Sequence, residues 1–163
     1  MKNSIFTFSI ILLLSLFFNT AITFAQSASG KTFYSLIEES EPVPKSINGA
    51  AFLNNMVIAR IETDDKNNPF NGVSGVCEQW MVAMGEGNEF VHGVCIMADQ
   101  AGDTFVTYLS YERNDESRAF FVKGGTGKFR NLDGKGTTTF IARPQTNNVE
   151  VFAMEKWTLK YKL

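Results

Sequence analysis

Two carboxylates stand where an alternating strand should be apolar. Glu78 and Glu155 each precede a tryptophan by two residues, in Glu78-Gln79-Trp80 and Glu155-Lys156-Trp157. Glu155 shares its parity with Ala153, Trp157, Leu159 and Tyr161, and Glu78 shares its own with Trp80 and Val82. A carboxylate among such neighbours is costly unless it is paired, hydrogen-bonded or facing water. Inside a barrel, beside aromatic walls, it is a group that holds or protonates a ligand. At a rim, or paired with Arg60 or Lys123, it is only structural. His92, the single histidine, lies on the parity of Phe90, Val94 and Ile96. The catalytic candidates are therefore Glu155, Glu78 and His92. The ligand-binding candidates are Trp80, Tyr108, Ser110, Trp157 and again Glu155.

The elements that would position these residues are strands. Gly85-Glu86-Gly87 separates the apolar stretches Cys77–Met84 and Asn88–Met97. A hairpin centred on Glu86 places Trp80 opposite His92 and Cys77 opposite Cys95. A second turn, centred on Ala101, places Ser110 opposite His92 and Tyr108 opposite Val94. If that face points inward, Glu78, His92, Ser110 and Tyr108 form one polar cluster. It is not a Ser/His/acid triad, because Glu78 falls opposite Val94, some distance along the strand from His92. Opposed cysteines either form a disulfide, which needs the closer type of antiparallel pair, or remain buried thiols acting as small hydrophobes.

Further strands are expected over Thr32–Glu39, Phe52–Glu62, Thr104–Glu112, Ser117–Lys123, Thr137–Arg143 and Val149–Tyr161. Residues 26–30 read as an irregular start, Glu41-Pro-Val-Pro44 and Lys45–Gly49 as a break and loop, and Thr63–Asn71 as a polar loop. Eight short strands with short turns and no amphipathic helix predict an all-β fold, an antiparallel barrel or sandwich.

Two loops carry recognisable motifs. Asp99-Gln-Ala-Gly-Asp103 lacks the third-position and twelfth-position ligands of a calcium loop, because those places hold Ala101 and Ser110, so it reads as a polar turn. Gly124-Gly-Thr-Gly-Lys-Phe-Arg-Asn-Leu-Asp-Gly-Lys-Gly136 contains Gly127-Lys128. Phe129 follows where a phosphate loop needs Ser or Thr, and no helix pattern comes after it. The expected role is a tight connection with glycine at positive φ, Phe129 and Leu132 plugging a barrel end.

The first 25 residues form a separate unit. Lys2, the apolar run Ile5–Phe18 and the small-residue site Thr23-Phe24-Ala25 follow the order of a secretory signal peptide. The run is shorter than the roughly 20 residues of a bilayer span. Cleavage leaves residues 26–163 as one domain, secreted or periplasmic, with no membrane span. The net charge of −2 argues against a nucleic-acid partner. One histidine excludes an all-histidine metal centre, and no cofactor motif is present.

The segment GGTGKFRNLDGKGTTTF, Gly124–Phe140, resembles the GGTGKF-x-x-x-x-G-x-G segment of the allene oxide cyclase-like barrels, which include the dirigent proteins. HGVCIMADQAGD, His92–Asp103, is similar to a G-x-C-x-x-x-D-x-x-G-D pattern in bacterial relatives of that superfamily. The resemblance implies an eight-stranded barrel with an internal cavity and a homo-oligomer, trimer or dimer. The matched residues are turns and barrel-end glycines, so they report fold rather than chemistry. Three functions are compatible with it. The leading one is an exported barrel that binds a small apolar molecule. The others are a cofactor-free isomerase or cyclase using cavity carboxylates, and a structural barrel with a filled core.

Overall fold

A computed structural model describes residues 26–39, 43–47, 50–84, 89–112, 114–142 and 153–163. The leader 1–25, the turn Gly85-Glu86-Gly87 and the segment 143–152, where the last strand is expected to begin, lie outside them. Nine strands follow in chain order: β1 Gln26–Glu39, β2 Val43–Ile47, β3 Ala50–Thr63, β4 Ser74–Ala83, β5 Glu89–Ala98, β6 Thr104–Glu112, β7 Arg118–Gly125, β8 Asp133–Ala142 and β9 Ala153–Lys162. A single 3-10 turn, Gly127–Phe129, joins β7 to β8.

Every strand from β3 to β9 pairs antiparallel with the next, β9 pairs with β1, and β1 pairs with β3. That ring is a closed eight-stranded antiparallel barrel. The ninth strand, β2, attaches to β3 through Val43–Phe52 and Ile47–Ala50. The sequence reading placed a proline stop and a loop there. Val43 and Pro44 are acceptable in this position because a short strand at the end of a sheet need not donate from every residue. The start of β1 is also longer than expected. Gln26–Ser29 is paired to β9 from Tyr161 to Thr158, and the Ser29 hydroxyl also donates to the Asp64 carboxylate.

The interior follows the alternation of each strand. Val57, Ala59 and Ile61 of β3, Cys95 and Met97 of β5, Val122 of β7 and Trp157, Leu159 and Tyr161 of β9 are all buried. Gly30 makes room for Trp157: a Cβ there would strike the Glu62 carbonyl and the indole ring. One end of the barrel is closed by aromatics. Phe129 is fully buried, stacks on Phe70 at 5.6 Å and meets Phe105 at 4.7 Å. Leu132 is buried beside them. The expected plug by Phe129 and Leu132 is present, with Phe70 added from the loop that the sequence marks only as polar.

The two motif loops interlock beneath that plug. The Asp99 carboxylate accepts the backbone N–H of Ala101 at 2.8 Å and of Asp103 at 2.9 Å, and pairs with the Lys128 ammonium at 2.7 Å. Asp103 in turn accepts the Lys128 N–H at 3.0 Å. Gly127 has φ +49°, and a Cβ on it would overlap the Asp103 carboxylate. Glycine is needed there on both counts.

Candidate functional site

The structure divides the candidates between the inside and the outside of the wall. Glu155 and Trp157 point into the barrel and are 6% and 5% exposed. Trp80, His92, Tyr108 and Ser110 point out and are exposed. The register expected from the two turns is correct: Trp80 faces His92, His92 faces Ser110, and Val94 faces Tyr108. Only the direction differs. Cys77 and Cys95 occupy the opposite parity and fill the interior, which turns the Glu78 and His92 parity outward. Glu78 accepts a hydrogen bond from the Asn54 amide at 3.1 Å on that outer face. The expectation of a Glu78, His92, Ser110 and Tyr108 cavity is thus corrected to an outer-surface row.

The facing cysteines are bridged, with an S–S distance of 2.07 Å and Cα atoms 3.9 Å apart. They lie opposite each other as the hairpin predicts, in the closer type of antiparallel pair.

Glu155 is the centre of the interior chemistry. One carboxylate oxygen, Oε2, accepts from the Tyr34 hydroxyl at 3.1 Å and from the Thr138 hydroxyl at 3.0 Å. The other, Oε1, accepts from the Arg118 guanidinium at 3.0 Å. Four strands supply the group: Tyr34 from β1, Arg118 from β7, Thr138 from β8 and Glu155 from β9. The pairing brings them together, since Thr138 is opposite both Arg118 and Trp157, and Thr32 is opposite Glu155. Arg118 also lies 4.0 Å above the Tyr111 ring, a cation–π contact in a largely dry setting. The partner of Glu155 is therefore Arg118. Arg60 instead pairs with Glu62, and Lys123 with Asp133.

Burial, then the Glu155 negative charge and its hydrogen bond, push the Tyr34 phenol well above its ordinary range. Tyr34 remains a neutral donor at any physiological pH. Two further donors are buried without a partner among the described residues, Arg118 Nε and Trp157 Nε1. Buried N–H groups normally find an acceptor, so each marks a place for an oxygen that the described residues do not supply. Trp157, Glu155, Thr138 and Tyr34 line an internal cavity of about 50 Å³, whose remaining wall is mainly apolar. A water molecule takes about 30 Å³ of liquid volume, so this space suits one or two waters or a small ligand group.

Sequence reasoning missed Tyr34, Arg118 and Thr138. Their signal was parity: Tyr34 alternates with Thr32, and Arg118 is in phase with Phe120 and Val122. Neither pattern says that the three side chains converge, because parity gives no register for β7 and β8, and Tyr34 lies 121 residues from Glu155.

The closed barrel has the fold of solved dirigent proteins. Two solved structures share the shape. The pterocarpan synthase dirigent protein PsPTS1 superposes with a TM-score of 0.51 at 13% identity, over 84% of this chain and 95% of that one. The pterocarpan synthase dirigent protein GePTS1 gives a TM-score of 0.50 at 14% identity, over 85% of this chain and 84% of that one. No protein-family model matches the sequence, and no curated protein matches it. At such identity the likeness describes the fold, and the site must be argued from its own residues.

Proposed function

We propose that this chain is an exported dirigent-like barrel that binds a small, largely apolar molecule carrying a hydrogen-bond acceptor. The acceptor is held at the Glu155–Arg118 group. The observation that carries this is a buried ion pair beside a cavity, with two N–H donors left unused. Ion pairs in apolar interiors add little stability compared with hydrophobic side chains of the same size. Their retention here has a reason if Arg118 Nε and Trp157 Nε1 receive an oxygen from a ligand. The cavity of about 50 Å³ takes only the polar head of such a molecule. The test is native mass spectrometry of the protein purified from its own host. Wild type should carry a small organic adduct that is reduced or lost in Glu155→Gln. An adduct retained by that variant at wild-type level removes Glu155 from the site.

A second reading is favoured by one contact. The Tyr34 hydroxyl donates to Glu155, so a neutral acid and a carboxylate stand side by side. That pair fits a cofactor-free isomerase or cyclase, in which Glu155 takes a proton and Tyr34 or Arg118 steadies the oxygen that gains charge. The two solved barrels of this shape are both pterocarpan synthases by name. Turnover without added cofactor by wild type, and none by Tyr34→Phe, would select this reading over simple binding.

Two features support export and self-association. The Cys77–Cys95 bridge suits an oxidising compartment, which agrees with the leader-like order of residues 1–25. The outer face of β3 to β6 is apolar in register. Ile58, Val76, Ile96 and Val106 form one cross-strand row, each more than a third exposed, and Ile96 is 63% exposed. Met56, Val94 and Tyr108 belong to the next row and Trp80 to the one beyond, also exposed. A patch of this extent marks an interaction surface, and a second copy of the same face is the occupant we propose.

A further inference from the structure

The opposite side of the barrel wall has the reverse character. On β1, β8 and β9 many outward residues are lysines, threonines and serines, with Phe33, Ile37, Asp133, Ile141 and Met154 among them. Lys135 is directly opposite Lys160, and Lys156 is directly opposite Lys31. All four are exposed. Among the described residues none of the four has an ion-pair partner. Like charges directly opposed across a strand pair weaken the pair. Two such oppositions lie on one face of a chain with net charge −2, with Glu62 opposite Lys31 on its other side.

Between the lysine pairs runs a row of hydroxyls. Thr137 and Thr158 face each other with their hydroxyl oxygens 3.2 Å apart, and Ser29 is opposite Thr158. This row and Lys135 and Lys160 floor a surface groove of about 640 Å³. Asp64, Asp65 and Asn68, from the loop between β3 and β4, form its rim. The groove is separate from the interior site, since its residues project from the other side of the same strands.

We propose that this groove binds an acidic polysaccharide. The lysines match carboxylate or sulfate groups. The threonine and serine hydroxyls match sugar hydroxyls, which both donate and accept. Asp64 and Asp65 accept from sugar hydroxyls, donors that the sugar-phosphate backbone of duplex DNA lacks. An exported protein meets such polymers at cell surfaces, but the assignment rests on the groove chemistry alone.

The experiment measures binding of the protein to polygalacturonate in low salt, with neutral dextran and duplex DNA as comparisons. Polygalacturonate should bind, weaken about tenfold or more between 50 and 200 mM salt through screening, and exceed both comparisons. Lys160→Glu should cut the affinity about tenfold, because it replaces an attraction by a repulsion. The same substitution should leave the melting temperature unchanged or raise it, because it ends the opposition to Lys135. Lys135→Gln with Lys160→Gln serves as the milder variant if the first misfolds. Arg130→Glu, exposed at the plugged end, should bind as wild type. Failure of wild type to bind polygalacturonate overturns the proposal, as does wild-type affinity in both lysine variants. Binding of DNA as tight as that of polygalacturonate overturns the polysaccharide assignment.

Discussion

At the scale of single residues, the Glu155–Arg118 pair can be tested for what it does for the fold and what it does for a ligand. Removing one partner strands a charge in the barrel. Arg118→Leu should therefore cost about 3–5 kcal/mol, measured by denaturant unfolding. Replacing both, as Glu155→Leu with Arg118→Leu, should recover most of that loss while abolishing any adduct. A double variant as unstable as the single one would make the pair a structural requirement rather than a site. Tyr34 offers a pH test. Its folded-state pKa is raised by burial first and then by Glu155. The stability linked to it is fully present below the unfolded tyrosine pKa of about 10 and falls as pH rises above that toward the folded value. In an alkaline titration followed by tyrosinate absorbance, Tyr34 should ionise last, together with unfolding. Tyr34→Phe should delete that late step and flatten the alkaline loss of stability. Early ionisation of all the tyrosines would refute the buried-donor assignment.

At the scale of elements, two devices hold the strands in place. The Cys77–Cys95 bridge joins β4 and β5 across 18 residues. Cys77→Ser should lower stability by about 2–4 kcal/mol, and a melting temperature unmoved by reductant would count against it. At the plugged end, the β7–β8 connection is clamped to the turn before β6 through Asp99, Asp103 and Lys128. Gly127→Val should impair folding there, because a β-branched residue tolerates positive φ poorly and its Cβ would displace Asp103. A soluble Gly127→Val protein with an unchanged melting temperature would refute this. These elements were legible in advance. The hairpin arithmetic from Gly85-Glu86-Gly87 and from Ala101 reproduces the register of β4, β5 and β6. The short strand β2 was not, since Pro42 just before it and Pro44 within it carry the signature of a loop.

At the scale of the whole molecule, the barrel wall has two unlike outer faces, one apolar over β3 to β6 and one lysine-rich over β8, β9 and β1. The apolar face predicts self-association. Ile96→Glu should shift the protein to monomer in light scattering without changing its far-ultraviolet circular dichroism, since Ile96 is already 63% exposed. A wild type that is monomeric at high micromolar concentration would remove the prediction.

Period-two alternation and glycine-rich turns were enough to specify an antiparallel barrel or sandwich and the partners across the β4–β5 and β5–β6 hairpins, because these depend on neighbours close in the chain, and the likeness of Gly124–Phe140 to known barrels selected the barrel. The sequence also singled out Glu155 and Trp157, whose parity matches the long apolar face of β9. It could not tell which parity of β4 to β6 faces the interior, because both are rich in large apolar residues: Cys77, Cys95 and Met97 on one, Val76, Val94 and Ile96 on the other. Closure of β1 on β3 and β9 decided that. Closure also brought Tyr34 to the carboxylate that Arg118 and Thr138 approach from the consecutive strands β7 and β8, and set Lys31 beside Lys156. Such meetings are made between residues far apart in sequence, and only the curvature of the closed sheet determines them.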